Sequence, residues 1–526
     1  MTGLSPHTFT QQVIARPIDT ANLDQATASG TVQSGFDIDL HTLPQKWLAN
    51  QLVDRYMELC QPQYPFLHEA TYRKAYGNLW TSEEPPNAVI AGTLNAVLSL
   101  GCHFSTNSSI AMADSFFRRA KGLTLSAYES TDDGMVTTTL QALSLIAMYP
   151  QGSEAQEQTW EIIGMMIRLL PRLRLSPGNE HSSYEAKVEN EMNVRLWWAC
   201  FVLDTVYRSY WGREPRFPDA EDNVRLPQAL EDEDSHSGDD ITPGALTPPP
   251  RIFFFAQTIR LCQLMRNVAK TYRSTPSAAQ TLEIDQQILD WYSSIPSLPS
   301  AEREYCLHGI LWRQCEVLTS RFLHLRVFLL TRHLKSSYPQ PKVITAFSSA
   351  KGAADAVLQP ILEEACVKAA IELIHHLDRL HSAKDGPHSA WWYDLKKITA
   401  SVGALLLHLN KLAEGQTVTA ELFQGEESAL HIALKLLKQI DNSGKPQASG
   451  LLQRVEGQFE AVREKLHTIE TGNIVPEGHE ESIPKFQLDT SFDLIGDELM
   501  DESFISWEPW SSDTITAEPF SLDLLS

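Results

Sequence analysis

Residues 195–211, RLWWACFVLDTVYRSYW, read as a helix that cannot lie on a surface. Val188, Met192, Leu196, Ala199, Leu203, Val206 and Tyr210 recur at three- and four-residue steps, the helical period. Trp197, Trp198, Phe201, Val202 and Tyr207 fill the other faces. A helix apolar all round is a buried one. Glu191 and Asp204 each stand four residues before an arginine, Arg195 and Arg208, the favourable orientation for an intrahelical pair. Gly212 then supplies a C-terminal stop, with Pro215 and Pro218 beyond it.

The wider stretch, Trp160 to Pro227, carries several short motifs in a fixed order. They are Ile167-Arg168, Leu173-Arg174-Leu175, Arg195-Leu196-Trp197-Trp198, Asp204, Gly212-Arg213, Asp222 and Leu226-Pro227. In this order they resemble the regulatory middle-homology domain of fungal zinc-cluster (Zn2Cys6) transcription factors. Arg174 stands where the family usually has Gly, Pro171 interrupts the first helix, and Glu214 is inserted between Arg213 and Pro215. Further matches extend the resemblance to about residues 43–440. Leu52, Tyr56 and Pro65-Phe66-Leu67-His68 fit the opening of the domain. Leu323 to Arg326, Cys366 to Ala370, and Trp391 fit its second half. The resemblance implies that Arg195, Trp197, Trp198, Asp204, Gly212 and Arg213 are structural residues of the domain. His68 could contact a ligand, but a packed, hydrogen-bonded core histidine is the stronger expectation.

Family members usually carry a six-cysteine cluster near the N-terminus, holding two zinc ions and placing a helix on DNA. Its spacing begins Cys-x2-Cys-x6-Cys, whereas this chain has no cysteine before Cys60. The expectation is a regulator lacking its own zinc-cluster module, unless a start codon further upstream encodes one. The net charge of −23, from 43 basic and 66 acidic residues, points the same way. Phosphate backbones repel so acidic a chain, so DNA would be reached only indirectly.

The rest of the sequence is read as all-α. Residues 1–42 are polar, without periodicity, and are expected to be disordered. Residues 43–470 are expected to form one multi-helix domain. Its helices fall near 87–104, 108–128, 136–149, 154–170 and 195–211, then resume at Arg251 with further runs that include 288–295 and 365–381, and a last one at 450–468. Residues 229–250, ALEDEDSHSGDDITPGALTPPP, hold six acids, no base and four prolines and are expected to be a disordered acidic loop. The seven cysteines are well separated and lie mostly in apolar stretches, as reduced thiols packed like small hydrophobes would. The start lacks the charged and apolar regions of a signal peptide, and the apolar runs are too short to span a membrane.

Residues 471–526 differ again. From Phe486 on there are ten acids and no Lys or Arg, threaded with bulky apolar residues. Acidic–hydrophobic alternation is the composition of a disordered activation segment. Carboxylate repulsion keeps the aromatics exposed, ready to dock in apolar grooves of a partner and order on binding. Phe492, Leu494, Leu499, Phe504, Trp507, Trp510 and Phe520 are the candidate coactivator contacts.

Catalytic signals are poor. There is no P-loop, G-x-S-x-G or H-E-x-x-H. His375, His376 and His381 suggest a metal cluster, but adjacent helical residues point about 100° apart, so a partly solvated face is the expectation. The sequence therefore reads as no enzyme, with no cofactor and no metal. The resemblance implies a nuclear transcription regulator, an activator or co-regulator working through a DNA-binding transcription factor partner and recruiting coactivators. By the same analogy it would control a biosynthetic gene cluster for secondary metabolism. The alternatives are a small-molecule-sensing repressor or modulator of another transcription factor, which would bind an effector, and a helical enzyme.

Overall fold

A computed structural model describes residues 44–82, 86–103, 110–149, 156–175, 183–211, 216–217, 224–230, 252–272, 276–295, 310–336, 350–382, 391–415, 420–442 and 446–470. The expected disordered start, the tail from 471 and residues 231–250 of the expected acidic loop lie outside them, while Ala229 and Leu230 of that loop are described. The described residues form fourteen α-helices and no strand. Among them no helix is long and apolar enough to cross a membrane.

The first seven helices are α1 (Lys46–Leu59), α2 (Glu69–Asn78), α3 (Ala88–His103), α4 (Ile110–Tyr128), α5 (Val136–Met148), α6 (Gln156–Leu169) and α7 (Tyr184–Trp211). Then follow α8 (Ile252–Tyr272), α9 (Ala278–Ser293), α10 (Ile310–Ser336), α11 (Ala350–Ser382), α12 (Trp391–Gly415), α13 (Ala420–Asn442) and α14 (Pro446–Glu470). Pro171 ends α6, and the chain leaves it through a single 3-10 turn at Leu170–Arg172.

Two large cores result, and α8 is the wall between them. Ile252, Phe255, Ile259 and Cys262, at steps of three and four, belong to the core built by α1 and α3–α7. Phe254, Leu261 and Val268, at steps of seven, belong to the core built with α9–α14. The loop after α1 also crosses between the halves. Phe66 is fully buried and meets Phe255 edge-on at 5.8 Å. Arg321 of α10 donates to the Tyr64 hydroxyl and to Thr258 Oγ1, and Gln314 Nε2 donates to the Pro62 carbonyl.

Three expectations need correction. Helix α9 starts at Ala278, ten residues before the apolar run that announces it. Its N-terminus is held by a capping box between Ser277 and Gln280 and by Asp355 Oδ1, which accepts from Ala278 N at 2.8 Å. Helix α11 starts at Ala350 rather than near Ala365 and runs through Pro360. Pro360 is exposed, so water can take the carbonyl that loses its helical partner. His376 is not on a solvated face. It is 2% exposed, with Nε2 3.1 Å from the Glu316 carbonyl oxygen of α10.

Candidate functional site

Helix α7 is where the chain concentrates polar chemistry inside an apolar shell. Arg195 and Asp204 are fully buried, and Glu191 is 3% exposed. Burying such groups costs several kcal/mol unless each finds hydrogen-bond partners. Their partners come from the segment that returns along α7 after the loop, residues 216–217 and 224–230. That segment has no regular secondary structure, so its own N–H and C=O groups also need partners.

The two needs are met together. Glu191 Oε1 accepts from Arg195 Nε at 3.1 Å and from the Gln228 backbone N–H at 2.9 Å. Its other oxygen pairs with Arg225 Nη1 at 2.8 Å. Arg195 Nη2 donates to the Gln228 carbonyl at 3.0 Å. One turn on, Trp198 Nε1 donates to the Arg225 carbonyl at 2.8 Å. Near the far end of α7, Asp204 accepts from the backbone N–H of Arg216 at 3.3 Å and of Phe217 at 3.2 Å. Arg266 of α8 closes the turn, donating to the Phe217 carbonyl at 3.1 Å. The returning segment thus runs antiparallel to α7 over roughly 20 Å of helix.

Apolar packing fixes the same segment. Phe217, 3% exposed, stands edge-on to Trp197 at 4.7 Å and to Phe201 at 5.5 Å. Trp198 meets Trp197 at 4.8 Å and Phe201 at 5.3 Å, both edge-on. The Arg216 guanidinium lies 3.8 Å over the Trp160 ring, and Nη1 donates to the Trp160 carbonyl at 3.0 Å. A Cβ built on Gly164 would overlap that guanidinium, so the absent side chain in α6 is what admits Arg216. Leu230 packs against Val188 and Met192 at the start of α7.

Of the family-motif residues read from sequence, Arg195, Trp197, Trp198 and Asp204 meet at this one interface. Gly212 and Arg213 lie outside the described residues, as do Phe492, Leu494, Leu499, Phe504, Trp507, Trp510 and Phe520. Sequence reasoning passed over Gly164, Arg216, Phe217, Arg225 and Arg266. The basic and aromatic pair at 216–217, set in a proline-flanked loop, was the available signal. His68 is 6% exposed and its Nδ1 lies 2.7 Å from Thr71 Oγ1.

The electrostatics are those of a scaffold. Burial holds the Asp204 carboxyl above its usual range, and the two backbone N–H groups with the charges of Arg266 and Arg208 offset only part of that rise. Burial also pushes the Cys102 and Cys366 thiols up to about 12, so they stay protonated and unreactive. Among the described residues, no group of three or more His, Cys, Asp and Glu could hold a metal ion.

Comparison with known proteins places this architecture. Residues 53–297 match the fungal specific transcription factor domain, a span that runs from α1 through α9 and contains the whole α7 interface. These residues are a fungal specific transcription factor domain. The domain is similar to that of the nitrogen assimilation transcription factor nirA of Emericella nidulans. That match is 28% identical over 198 residues, 36% of this chain and 21% of the relative. Transcription factor FBD3 of Gibberella moniliformis is 23% identical over 448 residues, 80% of this chain and 57% of its own length. The nitrogen assimilation transcription factor nit-4 of Neurospora crassa is 24% identical over 276 residues, 47% of this chain and 25% of its own. The chain thus covers from about a fifth to just over half of these relatives. No solved structure matches the chain.

Proposed function

We propose that the chain is a nuclear regulator of transcription. In this reading the helical domain is its regulatory body, and the acidic–hydrophobic segment after Phe486 recruits coactivators. The match of residues 53–297 to the fungal specific transcription factor domain carries the proposal. The α7 interface supports it, because its buried polar residues are taken up in holding a returning backbone segment. The seven cysteines of these 526 residues include no closely spaced pair. Zinc-cluster ligands would then have to come from a DNA-binding partner or from sequence outside this chain. The proposed route to promoters is pairing with such a partner, and the proposed targets are genes of one biosynthetic pathway.

The direct test is chromatin immunoprecipitation of the tagged chain at its native level. Enrichment at a small set of promoters, lost when the DNA-binding partner is deleted, is the expected result. A soluble, abundant chain with no enrichment anywhere overturns the reading. A second measurement separates activation from repression. Residues 471–526 fused to a heterologous DNA-binding domain should activate a reporter; a silent fusion leaves a modulator that acts through its helical domain.

A further inference from the structure

Among the described residues of the first half, α2 is the one α-helix with no buried residue. Its neighbour α1 buries seven and α3 buries thirteen. Helix α2 is ten residues long, below the roughly 12–15 at which a helix becomes even marginal by itself. Its N-cap residue, His68, gives no side-chain cap. Gly77 stands in its last turn, where a Cβ would meet nothing within 4 Å. No packing need calls for glycine at that position, and inside a helix it is a weak former. Length, cap and composition all leave α2 dependent on what it lies against.

It lies antiparallel on the outer side of α1, through contacts that water can reach. Arg73 Nη1 pairs with Asp54 Oδ1 at 3.0 Å, and the Tyr76 hydroxyl donates to Asn50 Oδ1 at 2.6 Å. Lys46 Nζ stands 5.8 Å from the centre of the Trp80 ring, just past the end of α2. Lys46, Asn50 and Asp54 are all exposed, and exposed pairs of this kind hold little. The inner stripe is Tyr72, Tyr76 and Trp80, four residues apart and half-buried against the first core. Tyr76 stacks on Tyr72 at 6.3 Å and meets Trp80 edge-on at 5.9 Å. The Tyr72 hydroxyl is enclosed yet has no hydrogen-bond partner among the described residues. Opening would give that donor to water, so the closed position works against it. The chain that enters α2 is fixed by contrast, with Phe66, Leu67 and His68 all buried.

We propose that α2 is a lid on the first core, which opens as one unit from the Phe66–His68 anchor while α1 and α3 stay folded. Opening bares the Tyr72–Tyr76–Trp80 stripe together with the strip of α1 beneath it. Elements that move in allosteric proteins are drawn from the parts of lowest local stability, and α2 is such a part. The opening needs nothing from the regulator reading. Its use as the moving element of a regulatory domain rests on that reading.

The test is hydrogen–deuterium exchange of the full chain, read by mass spectrometry on peptides of α1, α2 and α3. Amides of residues 72–79 should exchange on the order of a hundredfold faster than the slowest amides of α1 and α3. Low guanidinium should hardly change their rate, because lifting one surface helix exposes little area. Gly77→Ala should slow them about fivefold by favouring the helix. Tyr72→Phe should slow them about tenfold by removing the unmet donor. Both changes are mild, and an unchanged helical circular dichroism signal checks the fold. Equal protection of the three helices, a guanidinium dependence in α2 as steep as in α1, or rates that neither substitution slows would each overturn the proposal. Chromatin immunoprecipitation keeps the two readings apart. Promoter enrichment with α2 as protected as α1 removes the lid alone, and a fast-exchanging α2 without enrichment removes the regulator reading alone.

Discussion

Asp204 shows how little of the α7 interface is a matter of charge pairing. Its two oxygens accept from consecutive backbone N–H groups, Arg216 and Phe217. In Asp204→Asn one of those N–H groups faces an amide that donates instead of accepts. Leaving a buried donor unmet costs about 1–3 kcal/mol. Denaturant melts should show that loss with an unchanged slope, whereas an equal stability would mean the turn at 216–217 is held by Arg266 and packing alone. Trp197 tests the packing side. It touches Trp198 and Phe217 and is 7% exposed, so Trp197→Ala should cost about 3–5 kcal/mol in the same melts. A variant that melts like the parent contradicts the packing described. At this scale the sequence was half legible. The α7 side of each contact stood out, because a charge or an indole in an all-apolar helix demands a partner. The partners did not stand out, because most are backbone groups of a loop, and backbone has no letter of its own.

At the scale of elements, glycines report how closely helices approach. Gly101 of α3 sits against α1, where a Cβ would run into the Leu52 carbonyl, 2.9 Å from its carbon. Backbone cannot step aside as a side chain can, so Gly101→Ala should push α1 off α3 and cost about 1–3 kcal/mol. Gly457 of α14 is the matched control, since a Cβ there meets nothing within 4 Å. Gly457→Ala should instead stabilise by about 0.5–1 kcal/mol through helix propensity and unfolded-state entropy. Thermal melts of the two single variants should move in opposite directions, and a shift of the same sign would refute the close approach of α3 to α1. The order of helices could be read from apolar periodicity, but two starts could not. The front of α9 is polar and is fixed by a cap and by Asp355 from a helix 77 residues away. The front of α11 hides behind Pro360, which reads as a break and is tolerated on an exposed face. Nor could periodicity assign the faces of α8: it marks RIFFFAQTIRLCQLM as buried all round but not which core claims which residue.

At the scale of the whole molecule, α8 and the loop at 62–66 join the two cores, so the halves should lose structure together and stability should respond to groups in either one. His376 makes this measurable. Burial, with help from the charges of Lys397 and Arg379, lowers its pKa from 6.5 to about 4, against the opposing effect of the Glu316 carbonyl and Asp394. In the unfolded chain the same imidazole takes its proton near pH 6.5. Between these values the unfolded state binds more protons than the folded one, so stability rises with pH across the window. The contribution is complete above about pH 6.5 and is lost as pH falls towards 4, on the order of 3 kcal/mol in all. His376→Gln keeps an amide that can donate to the Glu316 carbonyl and removes the titration. Melts of the parent and of this variant, followed at pH 7, 6, 5 and 4, should converge as the pH drops, because only the parent suffers this loss. Aromatic circular dichroism, reporting the tryptophan cluster around α7 in the first core, should fall at the same midpoint as the helical signal. Parallel pH dependences would show that His376 is not held neutral by its burial. Separate midpoints for the two signals would show that α8 does not bind the halves into one folding unit.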